Sequence, residues 1–150
     1  MSSHRQILYH IVFRTKSSRK SLPLSVSDEL YRYIWGIIKA KNCVLYRING
    51  MEDHIHFLSD LHPSIALADY LRDIKTSTSV WLKQNKNFPD FEGWGEGYAA
   101  FTYAYSDKET VVNYILNQRE HHKKISFTDE LRQLLKEHGI EIDERFFLND

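Results

Sequence analysis

The sequence is poor in the residues that define several classes of protein. A single cysteine, Cys43, excludes an internal disulfide. Three prolines and six glycines in 150 residues, with no repeats, argue against a disordered or fibrous chain. No apolar run approaches the roughly 20 residues of a transmembrane helix, and the N-terminus lacks the apolar segment of a secretion signal. We therefore expect one globular domain over residues 1–150, located in the cytoplasm and without a membrane partner.

An excess of charge is also lacking, since 20 Lys and Arg residues balance 20 Asp and Glu residues. Taken alone, this balance does not indicate a nucleic-acid partner. The charge is unevenly distributed, however, because residues 1–50 contain nine Lys or Arg and only two Asp or Glu. This basic third can present a local phosphate-binding face, although a mixed folded surface remains an equal alternative from charge alone.

Hydrophobic periodicity predicts four strands and four helices. The predicted strands cover residues 5–14, 43–49, 54–60 and 98–105, and the predicted helices cover 27–41, 65–84, 106–122 and 128–138. Ser64 and the capping box Ser106–Glu109 are the predicted starts of the second and third helices. The order predicts an α+β fold of the ferredoxin-like split βαβ type, with an antiparallel four-stranded sheet, helices on one face, and a further C-terminal helix that carries Tyr114.

The first chemical feature is the sequence His54-Ile55-His56 on the third predicted strand. Side chains alternate along a strand, so the two imidazoles point to one face and can converge on one metal ion. A lone His-x-His is a weak signal among eight histidines. The alternative is a half-exposed strand with two polar residues on its wet face.

The second feature is Tyr114 with Gln118, which a continuous helix places one turn apart on the same face. Val112, Ile115 and Leu116 lie largely on the other side and form the predicted core stripe. Tyr114 is therefore predicted to project from the polar face. A solvent-exposed tyrosine beside an amide is the alternative.

The two features become specific in combination. Transfer of a phosphodiester needs a nucleophile. The tyrosine oxygen is a poor nucleophile because its pKa lies near 10, so a positive group near the phosphate is also needed. Two imidazoles and one amide oxygen can form a three-ligand site with open positions for phosphate oxygens. Mg²⁺ and Mn²⁺ both remain candidates, since nitrogen ligands favour Mn²⁺ on affinity alone.

Five motifs between residues 5 and 122 resemble one family, the single-tyrosine HUH transposases of small bacterial insertion sequences, including the REP-associated tyrosine transposases. These motifs are Tyr9–Lys16 (YHIVFRTK), Asp53–Leu58 (DHIHFL), Lys75–Ser79, Trp94–Tyr98 and Tyr114–Gln118. They occur in the order that the family shows. The segment beyond residue 125 departs from the pattern, so we divide the domain into a catalytic core over 1–124 and a tail over 125–150.

The resemblance implies that Tyr114 attacks single-stranded DNA and forms a 5′-phosphotyrosine, releasing a 3′-OH. It implies that His54, His56 and Gln118 hold a divalent metal ion. It also implies recognition of hairpin DNA at the element ends and a homodimer. No nucleotide cofactor is expected, which agrees with the absence of a P-loop from the sequence.

Five basic side chains are candidates for contacts with the DNA backbone because of their positive charge. They are not expected to recognise the base sequence. They are Arg14, Lys16, Arg19, Lys20 and Lys75. A solvated basic face is the alternative for this set.

Two other functions remain open. Another histidine-dependent phosphodiesterase also begins with His-x-His, but the next same-face residue is Leu58 and no Asp-His pair follows. A non-catalytic module that binds single-stranded nucleic acid through aromatic residues is compatible with the aromatic content of 13%. That module leaves His54, His56, Tyr114 and Gln118 unexplained as a set.

Overall fold

A four-stranded antiparallel sheet forms the centre of the molecule in the computed structural model, which describes residues 3–145 and 147–148. Its strands are β1 (Leu8–Arg14), β2 (Leu45–Gly50), β3 (His54–Ser59) and β4 (Ala99–Tyr103), in the spatial order β2-β3-β1-β4. β1 pairs with both β3 and β4, and β2 pairs with β3. The predicted α+β architecture is confirmed, with strand ends that differ from the prediction by at most three residues.

Two helices cover one face of the sheet. They are α1 (Ser27–Ala40) and α2 (Leu67–Lys83). Their apolar residues pack against the β1 and β3 side chains that point to this face. The buried residues at this interface include Ile11, Phe13, Leu30, Ile34, Ile38, Ile55, Phe57, Leu71 and Ile74. Burial of this continuous layer fixes the alternation of β3, so His54 and His56 must point to the opposite face.

The opposite face of the sheet is covered by three shorter helices: α3 (Lys108–Leu116), α4 (Gln118–His121) and α5 (Phe127–Glu137). Val111 and Ile115 of α3 pack on Leu8 and Leu58. Apolar residues of α5 pack on Val12 of β1 and on β4. β3 is consequently buried on both faces, which makes the alternative of a half-exposed strand wrong.

The predicted starts of the second and third helices are wrong, whereas the first helix begins at Ser27 as predicted. α3 begins at Lys108 without a side-chain cap, because a 3-10 turn over Tyr105–Asp107 takes the place of the capping box predicted from Ser106. α2 begins at Leu67, not after Ser64, whose hydroxyl instead lies 2.7 Å from His62 Nδ1. Ser64 thus makes a local side-chain contact outside the helix instead of capping it.

The predicted continuous helix to residue 122 is also interrupted. Asn117 has non-helical backbone angles (φ −91°, ψ 15°) and separates α3 from α4. The Asn49 side chain donates to the Leu116 carbonyl at 2.9 Å and satisfies an acceptor at this break. The core stripe also differs from the prediction, because Val111 and Ile115 are buried while Leu116 is exposed.

Within the described ranges 3–145 and 147–148, no helix has the length and apolar character needed to cross a membrane.

Candidate active site

The two β3 histidines lie in a closed pocket between the sheet and α3–α5. His54 and His56 are both fully buried. The phenylalanine ring of Phe127 stacks on His54 with centroids 4.2 Å apart and shields it from solvent. The alternation predicted from His54-Ile55-His56 thus places both imidazoles on one face, but that face is an interior and not a wet surface.

Tyr114 and Gln118 reach this pocket from α3 and α4. The break at Asn117 turns Gln118 into the interior, where its side chain is fully buried, while Tyr114 is half-buried. Gln118 Oε1 lies 3.1 Å from His54 Nε2. The four residues predicted to form the site therefore meet within one chain, although Tyr114 and Gln118 do not share an exposed polar face as the helical pattern predicted.

Glu130 of α5 lies at the centre of this group, and sequence reasoning did not select it. Its side chain is 1% exposed. Its Oε2 atom accepts hydrogen bonds from the Tyr114 hydroxyl and, at 2.7 Å, from Gln118 Nε2. Its Oε1 atom lies 2.9 Å from His56 Nε2 and 3.4 Å from His54 Nε2.

His122, which follows α4, is a second residue that the sequence did not assign. Its Nε2 atom is 2.9 Å from Gln118 Oε1 and 3.1 Å from Glu130 Oε1. Its Nδ1 atom is 2.8 Å from the Ile125 carbonyl, which only accepts, so Nδ1 carries the hydrogen. In a neutral imidazole the other nitrogen, Nε2, then has a lone pair directed at two acceptor oxygens.

His54 shows the same pattern. Its Nδ1 donates to the Asp53 carboxylate at 2.6 Å, which leaves Nε2 as the lone-pair nitrogen of the neutral ring. Nε2 faces the oxygens of Gln118 and Glu130. Lone pairs from two imidazoles, an amide and a carboxylate therefore converge, and such a point requires protons on the imidazoles or a cation.

The donor set fits a divalent metal ion. Among the described residues, the ligand atoms of His54, His56, His122 and Glu130 all lie within 4.8 Å of one another. Neighbouring ligands around an ion with bonds of about 2.1 Å are about 3 Å apart in octahedral geometry. The observed separations of 2.9–3.4 Å between nitrogen and oxygen donors match that spacing. Imidazole and carboxylate ligands suit Mn²⁺ and related ions.

The local charges tune the pKa values of this group in opposite directions. Burial alone would lower the His54 pKa, but hydrogen bonds to Asp53 and Glu130 raise it to about 9. Burial lowers the pKa of His56 to about 4 despite the nearby Glu130. Burial would raise the Glu130 pKa, but hydrogen bonds from His122, His54 and His56 hold it far below its usual value. Without a metal ion, these shifts favour an ionised Glu130 carboxylate, a protonated His54 and a neutral His56, so a bound cation would take the place of the proton on His54.

The phenol of Tyr114 is protonated in this environment. Burial, followed by the charge of Glu130, raises its pKa well above the usual 10. The hydroxyl hydrogen is directed to Glu130 Oε2. A nucleophilic role for this oxygen consequently needs a nearby positive charge and an acceptor for the proton.

His10 of β1 contacts His56 and supports the site through this histidine. Its Nε2 atom lies 2.8 Å from His56 Nδ1, and the two rings stack with centroids 5.1 Å apart. Burial is the main cause that keeps the His10 pKa well below 6.5, so the ring is neutral. The pairing of Val12 with His56 in the sheet register determines this contact, and that register is not evident from a local sequence pattern.

The five candidate DNA-binding residues are separated into two groups by the structure. Arg14 is buried and donates to the Thr15 carbonyl at 3.3 Å, and Lys75 donates to the carbonyls of Gly95 and Gly97 at 2.7 and 2.9 Å. These two cations support the loop around Trp94 from inside.

The other three basic residues, Lys16, Arg19 and Lys20, are exposed in the loop that follows β1. Arg19 forms an ion pair with Glu92. Lys20 lines a crevice of about 190 Å³ together with Asp53, His122 and Phe127. This crevice therefore brings Lys20 of the basic loop close to His122, which contacts Gln118 and Glu130.

Comparisons with known proteins identify a family and a shared fold. A family model described as "Transposase IS200 like" matches residues 3–118. No curated protein gives a significant match. A solved structure described as a "putative transposase" from Deinococcus radiodurans R1 is 24% identical with a TM-score of 0.56, and the match covers 79% of this chain and 98% of that chain. A REP-associated tyrosine transposase bound to a REP hairpin is 16% identical with a TM-score of 0.61, and the match covers 83% of this chain and 76% of that chain. At these identities, both structures show the shared fold.

Proposed function

Because this chain belongs to the family of IS200-like transposases, we propose that it cuts and rejoins single-stranded DNA through a covalent 5′-phosphotyrosine at Tyr114. The proposal is supported above all by one observation. The Tyr114 hydroxyl and the Gln118 amide donate to the same carboxylate, and His54 and His56 lie against that carboxylate within a single buried pocket. An isolated polar surface would not bring these four side chains together.

In the proposed cleavage step, the phenolic oxygen of Tyr114 forms a bond to the phosphorus of a phosphodiester. The bond from phosphorus to the 3′ oxygen breaks, so the 5′ phosphate stays on the tyrosine. The phenol gives up one proton and the leaving oxygen takes one up, which yields a free 3′-OH. Attack by a 3′-OH on the phosphotyrosine reverses the step and joins two strands without a nucleotide cofactor.

His54, His56 and Gln118 would hold the divalent ion through two imidazole Nε2 atoms and one amide oxygen. When bound, a Mg²⁺ or Mn²⁺ ion supplies Lewis-acid polarisation of the scissile phosphate. Side chains of this chain orient the reacting groups. Asp53 fixes the His54 ring through a hydrogen bond at 2.6 Å, and the Glu130 Oε2 atom holds the phenolic proton of Tyr114 in a hydrogen bond.

For the DNA partner, we propose a hairpin with a single-stranded flank, since the structurally similar REP-associated transposase is bound to a REP hairpin. The exposed residues Lys16, Arg19 and Lys20 are the proposed backbone contacts, because they lie together in the loop that follows β1 and Lys20 lines the crevice beside His122. Arg14 and Lys75 act in this proposal by holding the neighbouring loop. A homodimer remains part of the proposal, with each site completed within its own chain.

The proposal is tested by incubating the protein and Mn²⁺ with labelled hairpin DNA that has single-stranded flanks. We expect a protein–DNA adduct that survives denaturation, since the bond to tyrosine is covalent. Tyr114→Phe should abolish the adduct while leaving DNA binding unchanged, and Tyr105→Phe, at an exposed tyrosine three residues before α3, is the matched control. His54→Ala and chelation should each suppress adduct formation.

Other outcomes distinguish the rival functions. Free DNA fragments without any adduct would favour a histidine-dependent phosphodiesterase that uses water. DNA binding that is insensitive to chelators and to His54→Ala, with no cleavage, would favour a non-catalytic binding module. An adduct that persists in Tyr114→Phe would contradict the assignment of the nucleophile.

A further inference from the structure

A buried carboxylate from outside the family-matched region lies at the centre of the proposed metal site. Glu130 is contributed by α5, whereas the family model ends at residue 118. We propose that Glu130, together with His122, supplies two further ligands to the ion held by His54, His56 and Gln118. This inference rests on the proposed function, and it assigns to the C-terminal segment a direct part in the site.

The position of Glu130 is fixed by the packing of α5. Ser126 caps this helix by accepting from the Asp129 amide at 3.2 Å. Phe127, Leu131 and Leu134 form an apolar stripe that packs against Val12 and β4. Glu130 lies on that same stripe, so docking of the helix directs its carboxylate into the pocket.

Burial of this carboxylate requires a compensating positive charge. Moving an ion of this size out of water costs several kcal/mol even after relaxation. Oε2 is satisfied by the hydroxyl of Tyr114 and the amide of Gln118, which are neutral donors. Oε1 instead faces the Nε2 atoms of three imidazoles, those of His54, His56 and His122. A divalent cation among these nitrogens would replace the proton on His54 as the positive charge beside the carboxylate, and it would accept the imidazole lone pairs.

The tautomer of His122 leads to the same conclusion. Its Nδ1 hydrogen is committed to the Ile125 carbonyl. Nε2 therefore directs a lone pair at the oxygens of Gln118 and Glu130, an arrangement that is repulsive unless a proton or a cation intervenes. A metal ion accepts both the nitrogen and the oxygen lone pairs at the observed separations of 2.9 and 3.1 Å. Five protein ligands leave one octahedral position for a phosphate oxygen.

The decisive experiment measures Mn²⁺ binding to the full chain by the loss of the free-ion signal in electron paramagnetic resonance. Glu130→Gln keeps the size and one acceptor oxygen but removes the charge. Removal of an outer-shell partner already costs about 10–100-fold in metal affinity. We therefore expect Glu130→Gln to raise the Kd by about 100-fold or more, and His122→Ala to raise it by about 10-fold or more. Glu137→Gln makes the same charge change on an exposed position of α5 and should leave the Kd unchanged.

The arms of this experiment separate the inference from the proposed function. If His54→Ala abolishes Mn²⁺ binding while Glu130→Gln and His122→Ala bind like the wild type, the proposed site stands and the added ligands are wrong. If Glu130→Gln forms the DNA adduct faster than the wild type, Glu130 occupies the position of the substrate phosphate, and the inference is overturned. If His54→Ala binds Mn²⁺ as tightly as the wild type, the proposed metal site itself is wrong.

A measurement on the wild-type protein covers the case in which Glu130→Gln does not fold. Saturating Mg²⁺ should slow hydrogen exchange of the α5 amides, such as that of Leu134, because a ligand on this helix ties its docking to ion binding. Unchanged exchange in α5 on addition of Mg²⁺, with slowed exchange at β3, would overturn the inference without any variant.

Discussion

Replacing Phe127 with alanine should detach α5 from the sheet. Phe127 is 6% exposed, stacks on His54, and packs within the cluster that holds Leu131 and Leu134. A buried Phe→Ala change costs about 3–5 kcal/mol, through lost burial and the cavity that remains. Each 1.4 kcal/mol changes an equilibrium tenfold, so the docked state of α5 should become about 100- to 4000-fold less favoured.

Native-state hydrogen exchange measures this loss directly. We expect the amides of Leu131 and Leu134 to lose about 100-fold or more of their protection in Phe127→Ala. The amides of β3, which is paired on both sides, should lose much less. Ile140→Ala removes an apolar side chain from the same C-terminal segment at a 43% exposed position and should change neither region.

Two results would refute this reasoning. An equal loss of protection in α5 and β3 would mean that Phe127 stabilises the whole domain and that α5 does not open separately. Full protection of α5 in Phe127→Ala would mean that the stacking on His54 and the apolar cluster do not anchor the helix.

Two further predictions concern the β2–β3 hairpin, which carries the histidines. Asp53→Ala should weaken Mn²⁺ binding by about 10–100-fold in calorimetric titrations, because the His54 ring loses the acceptor that orients it. Asp53→Asn retains an acceptor oxygen and should lose less affinity. Equal affinities in the wild type and both variants would contradict this role. Gly50→Ala should lower the Tm by about 5–10 °C, since a Cβ there would lie 2.3 Å from the His54 carbonyl oxygen and 2.9 Å from Ile55 Cα. A melting curve that matches the wild type would contradict this prediction, because it would show that the hairpin accommodates the methyl group.

The strands and the His-x-His geometry were predictable from sequence because they follow from local alternation. β3 was predicted over residues 54–60 and is observed over His54–Ser59. The apolar residues Ile55 and Phe57 determine one face, and the histidines must take the other. The last helix was likewise predicted over residues 128–138 and is observed over Phe127–Glu137, and Gly139, two residues beyond its end, has a positive φ of 69° that is typical of a helix terminus.

The interior position of Gln118 was not predictable in the same way. A continuous helical pattern from residue 108 onward concealed the break at Asn117. The break is stabilised by Asn49, which is 67 residues away from Leu116 in the sequence. A contact over that distance leaves no trace in a local periodicity.

Glu130 was missed because the C-terminal segment lies outside the recognised motifs. One usable signal was nevertheless present. Phe127, Leu131 and Leu134 recur at helical spacing, and Glu130 interrupts their apolar stripe. A charged residue on the buried stripe of an amphipathic helix indicates a paired or functional carboxylate, although its partners become evident only from the tertiary structure.

The central claim is that imidazole, amide and carboxylate groups of one chain enclose a divalent ion beside Tyr114. The most direct test is an anomalous difference map from crystals of the protein grown with Mn²⁺. The account predicts one strong peak at about 2.0–2.3 Å from His54 Nε2, His56 Nε2 and Gln118 Oε1. A peak outside this pocket, or none at Mn²⁺ concentrations that support DNA cleavage, would contradict it.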